Sequence, residues 1–452
     1  MFPPFSQSEA PVERLIRNVT RYVEEHSEDA AGYYTLGRIH YLAFVHEAKS
    51  IDFYFGAEYD TTMLPGVRYP FSPVLATRWP IGELTGQELR GHLVSAIDNF
   101  RRAIAMKGNT ALYHLSLACV LEAGTTRGLD IGLPPGDLVP SQVLADDFTL
   151  RAEHLIPKLG RFRLFGGSAE KELAKMLPAA MPVLMAHRIH VDPKVRRGIE
   201  RLVGGYWTEQ AIGSYLRAYE LAIDEDLKLK ELPHDGLWPH IGYEAGKSYV
   251  RLIEERGPRG ERRQLARVKK SLRKLEALPE GPVTPIIFSL HRSAPLEELL
   301  EPNLTVVFDL DGTGRLQGIP WVQPTTGILV WDPGDRGMVS SGRQLIGSVT
   351  WWIFWRDGYQ VLQALDDSGN GVLEGEELRG LGVWMDHNIN GASEPGEVVP
   401  IDRTAVVSIR TQPDGHSGSA PMNSVGLRLR DGRLLPTYDW MVESGGALAQ
   451  GR

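Results

Sequence analysis

Two stretches of the 452-residue chain concentrate oxygen-bearing side chains at spacings that suit a hard cation. Asp366–Glu377 reads DDSGNGVLEGEE, and Asp386–Glu397 reads DHNINGASEPGE. Each twelve-residue frame has Asp at position 1, Ser or Asn at 3, Asn at 5, Gly at 6 and Glu at 9 and 12. Calcium prefers a shell of roughly six to eight oxygens, mixing carboxylates, amides and a main-chain carbonyl. The first frame would supply Asp366, Ser368, Asn370, the Val372 carbonyl, Glu374 and Glu377. The second would supply Asp386, Asn388, Asn390, the Ala392 carbonyl, Glu394 and Glu397. The Gly at position 6 permits the sharp turn around an ion, and the closing Glu can offer both of its oxygens. Ser368 is a weaker ligand than Asp, so the first loop is expected to bind Ca2+ without great tightness.

The charge distribution agrees with a cation site. Between residues 301 and 400 there are fourteen Asp or Glu, five Arg and no Lys, whereas the whole chain carries only -8. Nothing in that balance suggests nucleic acid as a partner. The lone cysteine, Cys119, excludes a disulfide framework within the chain and sits in an apolar run that suits a core. The given N-terminus shows no secretory signal pattern, and no apolar run is long enough for a transmembrane segment. Weak calcium loops suit millimolar extracellular calcium, so an extracytoplasmic location is the expectation.

The rest of the chain divides by style. Residues 12–44 read as two amphipathic helices, followed by an aromatic, Pro-rich stretch to about residue 85. Further helices place Ala96, Phe100 and Ala103, and later Ala211, Tyr215 and Ala218, at i, i+4, i+7. With Tyr33, Leu36 and Gly37, these positions resemble tetratricopeptide repeats, in which small residues let paired helices approach and an aromatic fills the groove. The two second-helix patterns lie 115 residues apart, far from the regular period of about 34, so any such array is degenerate and interrupted. That resemblance implies a protein partner bound through the helical face. The basic run at residues 257–278 reads as a solvated helix face, with an acidic partner as the other option.

After residue 285 strands dominate, at PIIFSL, LTVVFDL and TGILVW, and in a hairpin turning at Asp431-Gly432. The loops in this half resemble the EF-hand-like calcium modules at the ends of bacterial secreted proteins of the hemolysin type. The words that carry the likeness are VVFDLDGTGRL, GILVWDPGDRG, DGYQVLQALDDSGNGVLEGEEL and GVWMDHNINGASEPGEV. The resemblance implies two more loops upstream, both eroded. In one, Thr313 stands where Asp is usual. In the other, Gly334 and Arg336 replace ligands, and the Arg336 guanidinium is expected to stand in for the ion. An alternative resemblance is to haloacid-dehalogenase-type phosphohydrolases, with Asp309 as nucleophile, Asp311 as general acid and magnesium between them. It lacks the lysine such chemistry needs, because none follows Lys274. His187 and His190 could share a helix face but have no third ligand at a recognised spacing.

The sequence thus predicts a multidomain chain. Its N-terminal all-α part consists of degenerate tetratricopeptide-like helical hairpins, and its C-terminal part is a β-rich α+β module with EF-hand-like loops. The expected parts are a helical domain over residues 1–278 with insertions at about 50–85 and 125–200, a linker over 279–300, the calcium module over 301–410, and a terminal hairpin and tail over 411–452. The expected role is a non-enzymatic interaction scaffold stabilised by calcium.

Overall fold

A computed structural model describes residues 6–47, 51–55, 84–126, 207–223, 241–258, 260–275, 283–312, 316–442 and 445–447. The two expected insertions fall almost wholly outside these residues, as do Thr313, His187 and His190. A short antiparallel pair, β1 (Ser6–Ala10) with β2 (Ile51–Phe55), flanks α1 (Val12–Glu25) and α2 (Ala30–His46). The helices α3 (Gly86–Met106), α4 (Ala111–Thr126), α5 (207–223), α6 (Ile241–Arg256) and α7 (Arg262–Leu275) follow.

Local chemistry sets the helix starts. The Asp29 side chain accepts the Ala31 amide at the start of α2, and Thr85 and Glu88 form a reciprocal capping box on α3. Ala96, Phe100, Ala103, Ala211, Tyr215 and Ala218 are all buried. Gly37 on α2 lies so close to Phe100 on α3 that a Cβ there would come within 2.8 Å of the ring. Gly246 on α6 meets Tyr219 on α5 in the same way. Between α2 and α3, His40 Nδ1 and His92 Nδ1 face each other at 2.9 Å. Burial, then the neighbouring His92, pushes His40 down to about 3, so the pair is neutral at physiological pH.

The second half is built on one antiparallel sheet. Its order is β7 (Val372–Glu374), β10 (Val406–Arg410), β12 (Ala420–Leu429), β13 (Leu434–Asp439), β3 (Ile286–Ser289), β6 (Thr326–Trp331), β8 (Leu381–Trp384) and β9 (Val398–Pro400). A short β11 (Gly415–Ser417) adds to β12. A separate three-stranded sheet joins β4 (Leu300–Phe308), β5 (Gln317–Val322) and β14 (Gly445–Ala447). One short helix, α8 (Gly358–Leu365), is capped by Asp357 and leads straight into the loop Asp366–Glu377.

Two of the expected segments contribute strands to this sheet. The linker placed at 279–300 contains β3, whose Ile286, Ile287 and Phe288 are fully buried between β13 and β6. The hairpin placed apart at 411–452 supplies β12 and β13, central strands of the same sheet. Both segments read as peripheral because they lie outside the loop region in sequence. Antiparallel pairing joins strands far apart in the chain, as in Thr437 with Phe288.

The helical layer is not an independent body. Buried apolar side chains form one cluster running from α1 through the sheet. The Tyr34 hydroxyl and Arg38 Nε of α2 donate to the carbonyls of Ile353 and Trp352. The fully buried Arg38 also lies over the Phe354 ring at 4.9 Å. The segment it holds is unusual, because Trp351, Trp352 and Phe354 all have positive φ. Bulky side chains occupy that region only where surrounding packing imposes it.

Candidate metal centre

The loop Asp366–Glu377 runs from α8 into β7, and Asp386–Glu397 runs from β8 into β9. Only the first has an incoming helix, and its closing Glu lies in a single 3-10 turn, Gly375–Leu378. Despite these different frames, the two loops share one backbone shape. Positions 4 and 6 have positive φ in both: Gly369 and Gly371 in the first, Ile389 and Gly391 in the second. A β-branched residue such as Ile389 tolerates that conformation poorly, so the rest of its loop must enforce it.

Three hydrogen bonds repeat position by position. The position-1 carboxylate accepts the position-6 amide, from Gly371 to Asp366 at 2.8 Å and from Gly391 to Asp386 at 2.7 Å. The position-5 amide oxygen accepts from position 7, Val372 to Asn370 and Ala392 to Asn390. The closing Glu accepts from position 9, Glu374 to Glu377 at 3.2 Å and Glu394 to Glu397 at 3.0 Å. Its other oxygen reaches back to the loop start, accepting from Ser368 in the first loop and from His387 in the second. In each loop the first and closing carboxylates, Asp366 with Glu377 and Asp386 with Glu397, accept main-chain amides of their own loop, which offsets acid–acid repulsion, whereas the exposed Glu374 carboxylate pairs with Arg428 at 3.7 Å.

Each loop is anchored differently. Asp386 is fully buried and accepts Trp321 Nε1–H at 2.7 Å, beneath an aromatic group in which Trp321, Trp384 and Phe308 pack edge-on or tilted. The first loop is held from outside, by α1. Arg14 donates to the carbonyls of Leu365 and Glu377, and Arg21 to those of Asp366 and Asp367. The Asp367 carboxylate takes ion pairs from Arg14 at 3.0 Å and Arg17 at 2.6 Å, and a hydrogen bond from Asn18 at 2.9 Å. Burial pushes the Asp367 carboxyl up. The hydrogen bonds of Asn18 and Arg17 and the charge of Arg14 outweigh that and hold it below its ordinary value.

Sequence alone does not single out this basic face of α1. A signal exists, as Arg14, Arg17 and Arg21 at i, i+3, i+7, but such runs are ordinary on solvated helices. The more conspicuous basic run, on α7, pairs with neighbouring helices: Lys269 with Glu254 and Arg267 with Glu220.

Of the upstream loops, the one that starts at Asp332 keeps the shape without the ligand set. Asp332 accepts the main-chain amides of Arg336 and Gly337, and Asp335 and Gly337 have positive φ, at the same two positions. The expectation that the Arg336 guanidinium substitutes for an ion is thus corrected, since main-chain amides satisfy the Asp332 carboxylate. In the first loop, Asp309 and Asp311 are buried and Asp311 accepts Gln317 Nε2–H at 2.8 Å. Gly312 has positive φ, and Arg343 donates to its carbonyl. The strand ending at Asp309 lies in an antiparallel sheet, not in the parallel sheet with alternating helices that the phosphohydrolase alternative requires.

Among the described residues, no three His, Cys, Asp or Glu side chains stand close enough to hold a metal as a ready cluster. The donor set still fits calcium. Each frame offers three carboxylates, two further side-chain oxygens and a position-7 carbonyl, and a closed backbone shape already surrounds them. When bound, the ion would supply positive charge at the centre of each loop.

The family comparison falls on this same half. The SPM domain family matches residues 297–428, which includes all four loops and several of the strands around them, but not β3 or β13. Among curated proteins, the iron-regulated protein FrpA of Neisseria meningitidis serogroup C is 28% identical over 108 residues. That alignment covers 23% of this chain and 10% of the relative, so the chain spans only a small part of that protein's length.

Proposed function

We propose that this protein binds calcium non-enzymatically, at Asp366–Glu377 and Asp386–Glu397, and that the ions stabilise a β-rich module coupled to a tetratricopeptide-like, partner-binding helical layer. The observation that carries this reading is the repeat of one closed hydrogen-bond pattern in two loops that sit in different secondary-structure frames. A shared shape without a shared frame is what common ligand demands would produce. The role is structural: cations gather carboxylates that otherwise repel, and so stabilise loops with few apolar contacts. A sensor role fits less well, because the second loop has strands where sensors have an opening helix pair. An extracytoplasmic site with millimolar calcium would suit loops of this modest charge.

The test is thermal unfolding of the full chain in calcium and in EGTA, with elemental analysis of the purified protein. A higher melting temperature in calcium is expected. An identical melt in both, with no bound calcium, would overturn the reading.

A further inference from the structure

We propose that the arginine face of α1 is a docking surface for the closed form of the loop Asp366–Glu377, so that calcium in this loop governs whether the first helix stays attached to the β-module. The proposal rests on the calcium reading above. Its basis is which atoms the arginines choose. Arg14 bridges the Leu365 and Glu377 carbonyls, one just before the loop and one at its last residue. Those two oxygens are separated by the whole frame in sequence and come together only when the loop is closed. Arg21 takes the next two carbonyls, Asp366 and Asp367. The Asp367 carboxylate, at position 2 and pointing away from the ligand side, gathers Arg14, Arg17 and Asn18.

This is a surface shaped to the outside of one loop state. Five of the contacts go to main-chain carbonyls, if Asn18 Nδ2 to Ala364 at 3.0 Å is included, and carbonyl positions report backbone shape. The fit is close: a Cβ on Gly369 would come within 3.2 Å of the Arg21 guanidinium carbon. Behind the arginines the seam is less tightly filled. A small cleft lies between α1, α2 and α8, lined by Asn18, Val19, Tyr22, Trp355, Gln360 and Ala364.

Without an ion, main-chain amides only partly offset the repulsion between Asp366 and Glu377, which weakens the closure that brings together the two carbonyls Arg14 joins. With an ion the loop closes and the dock is complete. Linkage makes the effect reciprocal: whatever calcium adds to α1 docking, α1 docking adds to calcium affinity.

Hydrogen exchange of residues 12–25 in the full chain, in calcium and in EGTA, reads the coupling directly. Calcium titration of the same protein by calorimetry reads its reciprocal. The expected result is slower exchange of α1 in calcium. Arg17→Ala, at an exposed position, and Arg14→Ala should both speed α1 exchange and weaken calcium binding at one site, by about fivefold or more for Arg14→Ala. If calcium binds but α1 exchange is the same with and without it, the docking proposal is overturned and the calcium reading stands. If calcium does not bind at all, both fall together. If both Arg variants bind calcium as tightly as the parent protein, the reciprocal coupling is refuted.

Discussion

The two intact loops solve one problem from opposite sides. Asp386–Glu397 is fixed from within, its first carboxylate buried and hydrogen-bonded by Trp321 in the aromatic core. Asp366–Glu377 is fixed from without, by a helix more than three hundred residues away in sequence. The first kind of anchor is internal to the sheet domain. The second is the one we propose to depend on the ion. Identical ligand spacing therefore does not imply identical dependence on the ion.

The largest contrast should come from the position-1 acids in EGTA. Asp386→Asn puts an amide N–H₂ or a single acceptor where three donors converge, and should cost about 3 kcal/mol in a urea titration. Asp366→Asn should cost less in EGTA, since Trp321 has no counterpart there, yet should remove the calcium response of its own loop. Equal losses in EGTA would break the distinction between an inner and an outer anchor.

Next come the closing acids. With calcium about a hundredfold above Kd, each working site adds about 2.7 kcal/mol. Glu377→Gln and Glu397→Gln should each erase about that much of the calcium-dependent gain in unfolding free energy. A variant that retains the full gain would remove its loop from the ligand set. Trp321→Phe keeps the ring packing but removes the indole donor. It should cost about 1 kcal/mol and leave the exchange of α1 unchanged.

The smallest effect is electrostatic and appears with acid. Asp367 has its carboxyl held below the ordinary 3.8, so its contribution is present above that value and is lost as pH falls through the lower folded value. Asp367 is partly exposed, and Asp367→Asn should cost under about 1 kcal/mol at physiological salt. His40 behaves in a different window. Its folded value is lowered from 6.5 to about 3, so the seam between α2 and α3 is at full strength above 6.5 and weakens as pH falls from there toward 3. An acid titration followed by hydrogen exchange should therefore loosen α2 against α3 before it frees α1 from the loop. The reverse order would contradict both assignments.

Much of the β-module could be read from residues alone. Strict spacing of Asp, Asn, Gly and Glu marked both loops, and short apolar runs marked β3, β4, β6 and the β12–β13 hairpin. β5, in QGIPWV, escaped because its proline and short length hide the strand pattern. The WWIFW segment escaped because its positive-φ aromatics follow no regular period at all.

By itself the sequence determined which side chains could serve a cation and how each loop turns, because ligand order and Gly placement are local properties of a dozen residues. Only the tertiary structure decided that the helices and the sheet share one core, that residues 286–289 lie inside the sheet, and that α1 grips one loop while Trp321 grips the other. Those outcomes depend on burial and on pairings hundreds of residues apart. No spacing along the chain encodes which distant carbonyl an arginine will reach.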